Sequence, residues 1–185
     1  MPKKGFFTVL IGRNSMRLFI AINFNENMKY ALLKMQNEFK KSGVKGSFTR
    51  EENLHMTMVF IGENDDPGKI EKIMWNVSFK AFPIRISGFR RFKDMIFANV
   101  EDNPDLKDYV KRLRLALSEN NIDCDRKSFM PHITLVRRVS GTSMLEKQTE
   151  KSIVETMKVN RISLMKSEQG KYGMIYTEIG YAKAF

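Results

Sequence analysis

The chain of 185 residues contains one cysteine, Cys124, and only two histidines, His55 and His132. A lone thiol cannot build a disulfide framework, which points to a reducing cytoplasm rather than to an exported, cross-linked domain. One thiol and two imidazoles also fall short of a structural zinc site, which takes four nitrogen or sulfur ligands, so no metal is expected. No apolar run approaches the ~20 residues that a membrane span requires. Residues 6–12, which follow Lys3 and Lys4, imitate a signal peptide only in outline: the apolar stretch is at the lower limit of length, and Arg13 and Asn14 follow it instead of small residues. Low-complexity stretches and Pro- or Ser-rich linkers are missing too, which argues against domains strung on tethers. Negative charge is scarce. Against 21 acidic side chains stand 32 Lys and Arg, a formal charge of +11 and a pI near 9.8.

Such a surplus suits a polyanionic partner, most simply RNA or DNA, whose phosphates attract it in a salt-dependent way. The plain alternative is a solvated basic surface with no partner. Apolar residues at 42% and charged residues at 29% are ordinary for a globular protein. The length suits one large domain or two small, intimately packed lobes. The 13 methionines read as core filler. Met16 opens the clearly patterned part, which leaves residues 1–15 as a leader or extension and residues 16–185 as the domain.

Residues 17–24 are apolar and β-prone and predict a buried strand. Asn25 or Asn27 then caps a helix to about Ser42, with Met28, Ala31, Leu32, Met35 and Phe39 along one face and Gly43 and Gly46 breaking it. Residues 53–61 predict a strand that carries His55. Asp65-Asp66-Pro67 opens a second helix to about Lys80. The order then begins again: strands at 82–89 and 95–100, a helix from Asn103-Pro104-Asp105 through about Glu119, and a strand at 129–136 that carries His132. Residues 144–157 predict a helix, and 159–166 and 174–181 predict closing strands joined by a hairpin around Gln169-Gly170. The expectation is an α+β fold: a bilobal, pseudo-twofold duplication of antiparallel sheets with flanking helices.

Both histidines sit in the same phrase, His55-Met56-Thr57-Met58 and His132-Ile133-Thr134-Leu135, 77 residues apart. Eight threonines in the whole chain make that coincidence improbable as accident. On a strand, residues i and i+2 share a face, so each imidazole projects beside a hydroxyl while Met56, Met58, Ile133 and Leu135 point the other way. Two such strands facing across a cleft would surround a phosphate with two imidazoles and two hydroxyls. One neutral imidazole could take the proton of an attacking water while a protonated one supplies the leaving oxygen. The threonine hydroxyls would share the charge that develops on the phosphoryl oxygens. The pattern points to phosphodiester hydrolysis with neither metal nor cofactor.

Carried by these phrases, the chain resembles the two-histidine phosphoesterase superfamily, and within it the bacterial and archaeal RNA 2',3'-cyclic phosphodiesterases, also called 2'-5' RNA ligases. Supporting stretches are Arg17-Leu18-Phe19-Ile20-Ala21, the residues flanking each histidine phrase, and Leu164-Met165-Lys166-Ser167 before Gly173-Met174-Ile175-Tyr176. The resemblance implies histidine strands lining a central cleft and metal-independent opening of a ribose 2',3'-cyclic phosphate to a 2'-phosphate. It implies His55 as proton donor and His132 as proton acceptor, roles that the two like-looking phrases do not themselves distinguish. Joining of RNA ends through 2'-5' linkages is the reverse chemistry on the same phosphate. Two substrate-binding residues follow from the same likeness. Arg137 would contact the phosphate, although strict alternation puts Arg138 on the histidine face, so Arg137 serves only where the strand bends or ends. Phe48 would stack a base, with core packing as its plain alternative. A cyclic phosphodiesterase for small nucleotides, and an RNA-end binding protein or ligase that does not hydrolyse, stay open as rivals. A monomer is expected.

Overall fold

The computed structural model describes residues 15–140 and 153–185. Most of the expected extension before Met16, and residues 144–152 of the expected late helix, lie outside the described residues. In chain order the elements are β1 (Met16–Asn23), α1 (Glu26–Lys41), β2 (Lys45–Phe48), a single 3₁₀ turn (Glu51–Asn53), β3 (His55–Asn64), α2 (Pro67–Asn76), β4 (Phe82–Phe92), β5 (Met95–Val100), α3 (Pro104–Glu119), β6 (His132–Ser140), β7 (Val154–Val159), β8 (Arg161–Gly170) and β9 (Gly173–Lys183).

Each helix starts on a short polar side chain that accepts from an otherwise orphaned amide. Asn25 accepts from Met28 N, Asp66 from Lys69 N and Asn103 from Leu106 N, each at 2.9 Å. Such caps contribute about 1 kcal/mol apiece. Pro67 and Pro104 occupy the first helical position, where a missing N–H removes nothing. α1 stops at Gly43, whose φ of +79° suits a residue without Cβ, and Val44 N closes the end by donating to Phe39 O at 3.0 Å.

All strand pairs are antiparallel, in a four-stranded sheet ordered β3-β1-β8-β9 and a five-stranded sheet ordered β2-β6-β5-β4-β7. Without β2 the two orders correspond strand for strand. In both, the histidine strand (β3 or β6) lies beside the strand whose crossover helix leads into it (β1 through α1, β5 through α3). The expected α+β duplication is thus present, but its halves are interleaved rather than consecutive. β8 and β9 complete the first sheet, β2 joins the second, and α1 packs on β6 and β7 while α3 reaches β3.

Three expectations are corrected. Residues 154–157 belong to strand β7, not to a helix: Met157 and Val159 face inward, Val154, Thr156 and Lys158 face out, and the run pairs with β4. α2 ends at Asn76, short of 80, because Val77 and Phe79 turn into the core. Gly46 lies inside β2, a strand the pattern did not signal. A Cβ there would come within 2.8 Å of Val136, so glycine is what lets β2 approach β6.

One continuous apolar core draws on both sheets and the three described helices, including Leu18, Ile20, Ile22, Met56, Met58, Ile84, Leu113, Ile133 and Leu135. A second, small cluster, Phe19, Ala21 and Met165 with Tyr176 against it, lies on the opposite face of the first sheet. That face carries His55. Among the described residues no helix is long and apolar enough to cross a membrane.

Candidate active site

Alternation along β3 and β6 buries Met56, Met58, Ile133 and Leu135 and leaves His55, Thr57, His132 and Thr134 half-exposed on the other face. All four polar side chains line a single cleft of about 520 Å³. The strands bring them together as the spacing predicts.

Both imidazoles are held alike. His55 Nδ1 donates to Asn53 O and His132 Nδ1 to Met130 O, each at 2.8 Å, so each ring is anchored to the carbonyl two residues before it. A carbonyl only accepts, so Nδ1 carries the hydrogen and Nε2 is left as the working nitrogen. In the neutral ring, His55 Nε2 accepts from the Thr57 hydroxyl at 3.0 Å. Aromatic rings fix the planes: Phe19 and Tyr176 flank His55 at 5.0 and 5.1 Å between centroids, and Phe97 meets His132 at 4.6 Å. Across the ladder from each histidine stands an asparagine, Asn23 for His55 and Asn99 for His132.

Burial holds the His55 imidazole below the ordinary histidine value of 6.5, opposed by its bond to the Asn53 carbonyl and reinforced by the positive charges of Arg137 and His132. An anion in the cleft would act in the reverse sense and draw His55 back toward protonation.

Arg137 does line the cleft, and a bulge is the reason. Val136 pairs with Ile96 but Thr134 with Phe97, which leaves Leu135 as an extra residue on β6. Leu135 and Val136 therefore both turn into the core, and the face inverts so that Arg137 follows His132 and Thr134. Arg138 is the next residue, with φ +53°, and it lines the cleft as well. β3 carries the matching bulge at Met58, since Val59 pairs with Ile20 but Thr57 with Ala21. The counterpart of Arg137 is then Phe60, over whose ring the Arg17 guanidinium sits at 5.1 Å.

Gln36 of α1, only 2% exposed, fastens the β6 bulge. Its amide nitrogen donates to Leu135 O at 2.9 Å and to Thr49 O at 2.8 Å, while Thr49 N also donates to Leu135 O at 2.9 Å. Gln36→Leu, which removes the glutamine donor from the Thr49 carbonyl and leaves the Leu135 carbonyl with Thr49 N alone, is expected to lower the unfolding free energy by about 1–3 kcal/mol. Urea denaturation with an unaltered slope would measure the loss. A change within measurement error would show that backbone pairing alone sets the bulge.

Phe48 is placed both against the core and at the cleft. It packs against the main core from its place beside Val136, and it lines the cleft with Lys40 Nζ 5.0 Å from the ring centroid. Several cleft residues escaped the sequence pattern: Ser47, Thr49, Arg50, Asn53, Gln169, Tyr172, Met174 and Tyr176. Asn53, Met174 and Tyr176 fall in the supporting stretches of the family likeness and are the ones with a signal. The others reach the cleft through the pairing of β2 and the fold-back of the β8–β9 hairpin, neither of which leaves a periodic trace. Among the described residues no group of three or more His, Cys, Asp or Glu is placed to hold a metal ion.

The family described as the 2'-5' RNA ligase superfamily matches residues 34–171. The RNA 2',3'-cyclic phosphodiesterase of Thermotoga maritima is 33% identical over 132 residues, 66% of this chain and 70% of its own length. That of Methanocaldococcus jannaschii is 30% identical over 142 residues, 74% of this chain and 80% of its own. Among solved structures, E. coli LigT complexed with 3'-AMP matches with a TM-score of 0.77 at 18% identity, over 92% of this chain and 98% of that one. That likeness is one of fold.

Proposed function

Because the chain belongs to the 2'-5' RNA ligase superfamily, we propose that it is a 2',3'-cyclic phosphodiesterase that opens cyclic phosphate ends of RNA or oligonucleotides to 2'-phosphates without a metal. The observation that carries this reading is the paired cradle. His55 and His132, each anchored through Nδ1, and Thr57 and Thr134 open onto one cleft beside Arg137.

In the proposed reaction a water attacks phosphorus in line with the ribose 3'-oxygen. His132 Nε2 accepts the water proton as the new P–O bond forms. His55 Nε2 donates a proton to the 3'-oxygen as the P–O3' bond breaks, leaving a 3'-hydroxyl and a 2'-phosphate. Both imidazoles return to their starting states by proton exchange with solvent, His132 releasing the proton it took and His55 taking one up. Thr57, Thr134 and Arg137 hold the non-bridging oxygens, where negative charge grows in the transition state. The substrate's own phosphate supplies the anion that offsets burial at His55. A 5'-hydroxyl in place of water would join two ends through a 2'-5' linkage by the same exchange of bonds.

Two features favour an RNA end over a small cyclic nucleotide. The cleft is lined by Arg137 and Arg138 as well as by Arg50, which is paired with Glu52, and the chain as a whole is strongly basic. The test is incubation of an oligonucleotide ending in a 2',3'-cyclic phosphate, in excess chelator, with the product identified by phosphorus NMR. A 2'-phosphate is expected. A 3'-phosphate, an unchanged substrate, or turnover that the chelator abolishes would each refute the proposal.

A further inference from the structure

The tip of the β8–β9 hairpin sets an aromatic ring at the cleft where none of the described residues covers it. Tyr172 is 81% exposed and yet lines the cleft. It occupies the two-residue turn between Gly170 and Gly173, where the φ of +118° at Gly173 makes the tight reversal available. The hairpin is tied down behind the ring. Met174 O accepts from Arg50 Nη2 at 2.5 Å and from Asn53 Nδ2 at 2.9 Å, which links the tip to the segment whose carbonyl orients His55. Lys171 Nζ stands 5.2 Å from the Tyr172 ring centroid.

A ring held this way gains nothing for the core, since its faces meet solvent. What it offers is a stacking surface beside positive charge. Phe48 offers the same pairing of ring and ammonium elsewhere in the cleft, through Lys40. The guanidinium groups of Arg50, Arg137 and Arg138 line the same cleft. Rings for bases alternating with cations for phosphates is what a single-stranded nucleic acid requires, because every base has a π-face and every linkage a charge. A protein partner would ask for a broader apolar surface than two rings set among cations.

The two rings are carried on different elements. Phe48 pairs with Val136 and its neighbour Ser47 with Arg137, so Phe48 is built next to the phosphate-binding arginine. Tyr172 is carried at the outer turn of a hairpin. We propose that Tyr172 forms a second nucleobase subsite, which takes the base preceding the terminal nucleotide, while Phe48 takes the terminal base. This rests on the cyclic phosphodiesterase reading above. It makes the minimal well-bound substrate a dinucleotide end rather than a mononucleotide.

The experiment compares kcat/KM on a nucleoside 2',3'-cyclic phosphate with kcat/KM on a dinucleotide ending in the same group, for the native protein, Tyr172→Ala and Tyr172→Phe. One stacked base is worth about 5- to 150-fold in binding. The native protein should therefore favour the dinucleotide by about 5-fold or more. Tyr172→Ala should bring the ratio close to one, and Tyr172→Phe, which keeps the ring, should restore it. A ratio that survives Tyr172→Ala, or that falls equally in Tyr172→Phe, overturns the subsite. That result leaves the phosphodiesterase reading standing as long as the native protein opens the mononucleotide and His55→Ala does not. Failure of the native protein on both substrates overturns the reading on which the subsite rests.

Discussion

Replacing either His55 or His132 with alanine is expected to lower kcat/KM on a cyclic phosphate end by about 10²–10⁴-fold, the usual worth of one positioned proton transfer. The double variant should be little worse than the poorer single one, because an acid and a base that act in one step do not contribute additively. Both side chains are half-exposed on the cleft face, so the losses should come with a retained fold, checked by circular dichroism and thermal unfolding. The pH profile separates their roles. The acid must be protonated and the base neutral, so the native profile is bell-shaped. Burial, with Arg137 and His132 adding to it, lowers the His55 value, so the protonated fraction of the free protein declines at a lower pH than for an ordinary histidine. With His55 as the acid, the alkaline limb of kcat/KM then lies at lower pH than an ordinary histidine in its place would give. The limb of kcat should lie at higher pH, because the bound phosphate anion stabilises the imidazolium. Coincident limbs, or a fully active His55→Ala variant, would remove His55 from the donor role.

How far the sequence discloses this arrangement depends on whether the cause is local. The helix starts are local: Asn25, Asp66-Pro67 and Asn103-Pro104 each satisfy their own first turn, and each begins a helix as the pattern predicts. The histidine strands are nearly local, since alternation alone sends His55 with Thr57 and His132 with Thr134 to one side. β2 is not. Lys45-Gly46-Ser47-Phe48 has no apolar alternation, and it is a strand because β6 offers it a partner. Val154–Val159 likewise alternates weakly and is fixed by β4. The bulges are the clearest case, because the Leu135 carbonyl is satisfied by a glutamine 99 residues away in sequence. Simple period-2 reasoning therefore puts Arg138 alone on the histidine face, whereas both arginines line the cleft. The likeness to known relatives supplied Arg137 where periodicity could not.

Arg137 is also where the duplicated scaffold stops being symmetric, and that gives its removal a distinctive expected result. The same bulge on β3 and β6 brings the fifth residue after each histidine to corresponding positions, Phe60 on one strand and Arg137 on the other. Only one of the two can neutralise a phosphoryl oxygen. Among the described residues Arg137 has no carboxylate partner, so its charge is available to a ligand. Arg137→Ala is expected to lower kcat/KM by about 10²–10³-fold, the usual effect of deleting one donor to a developing oxyanion. Arg137→Lys should recover part of the loss, since an ammonium keeps the charge but lacks the planar fork that meets two oxygens. The variant should also leave a mark on the pH profile that simple weakening of binding would not. Arg137 is one of the charges that lower His55, so its removal should move the alkaline limb of kcat/KM toward higher pH. A limb that stays in place, or moves lower, would mean that the guanidinium acts too far from His55 to share a phosphate with it.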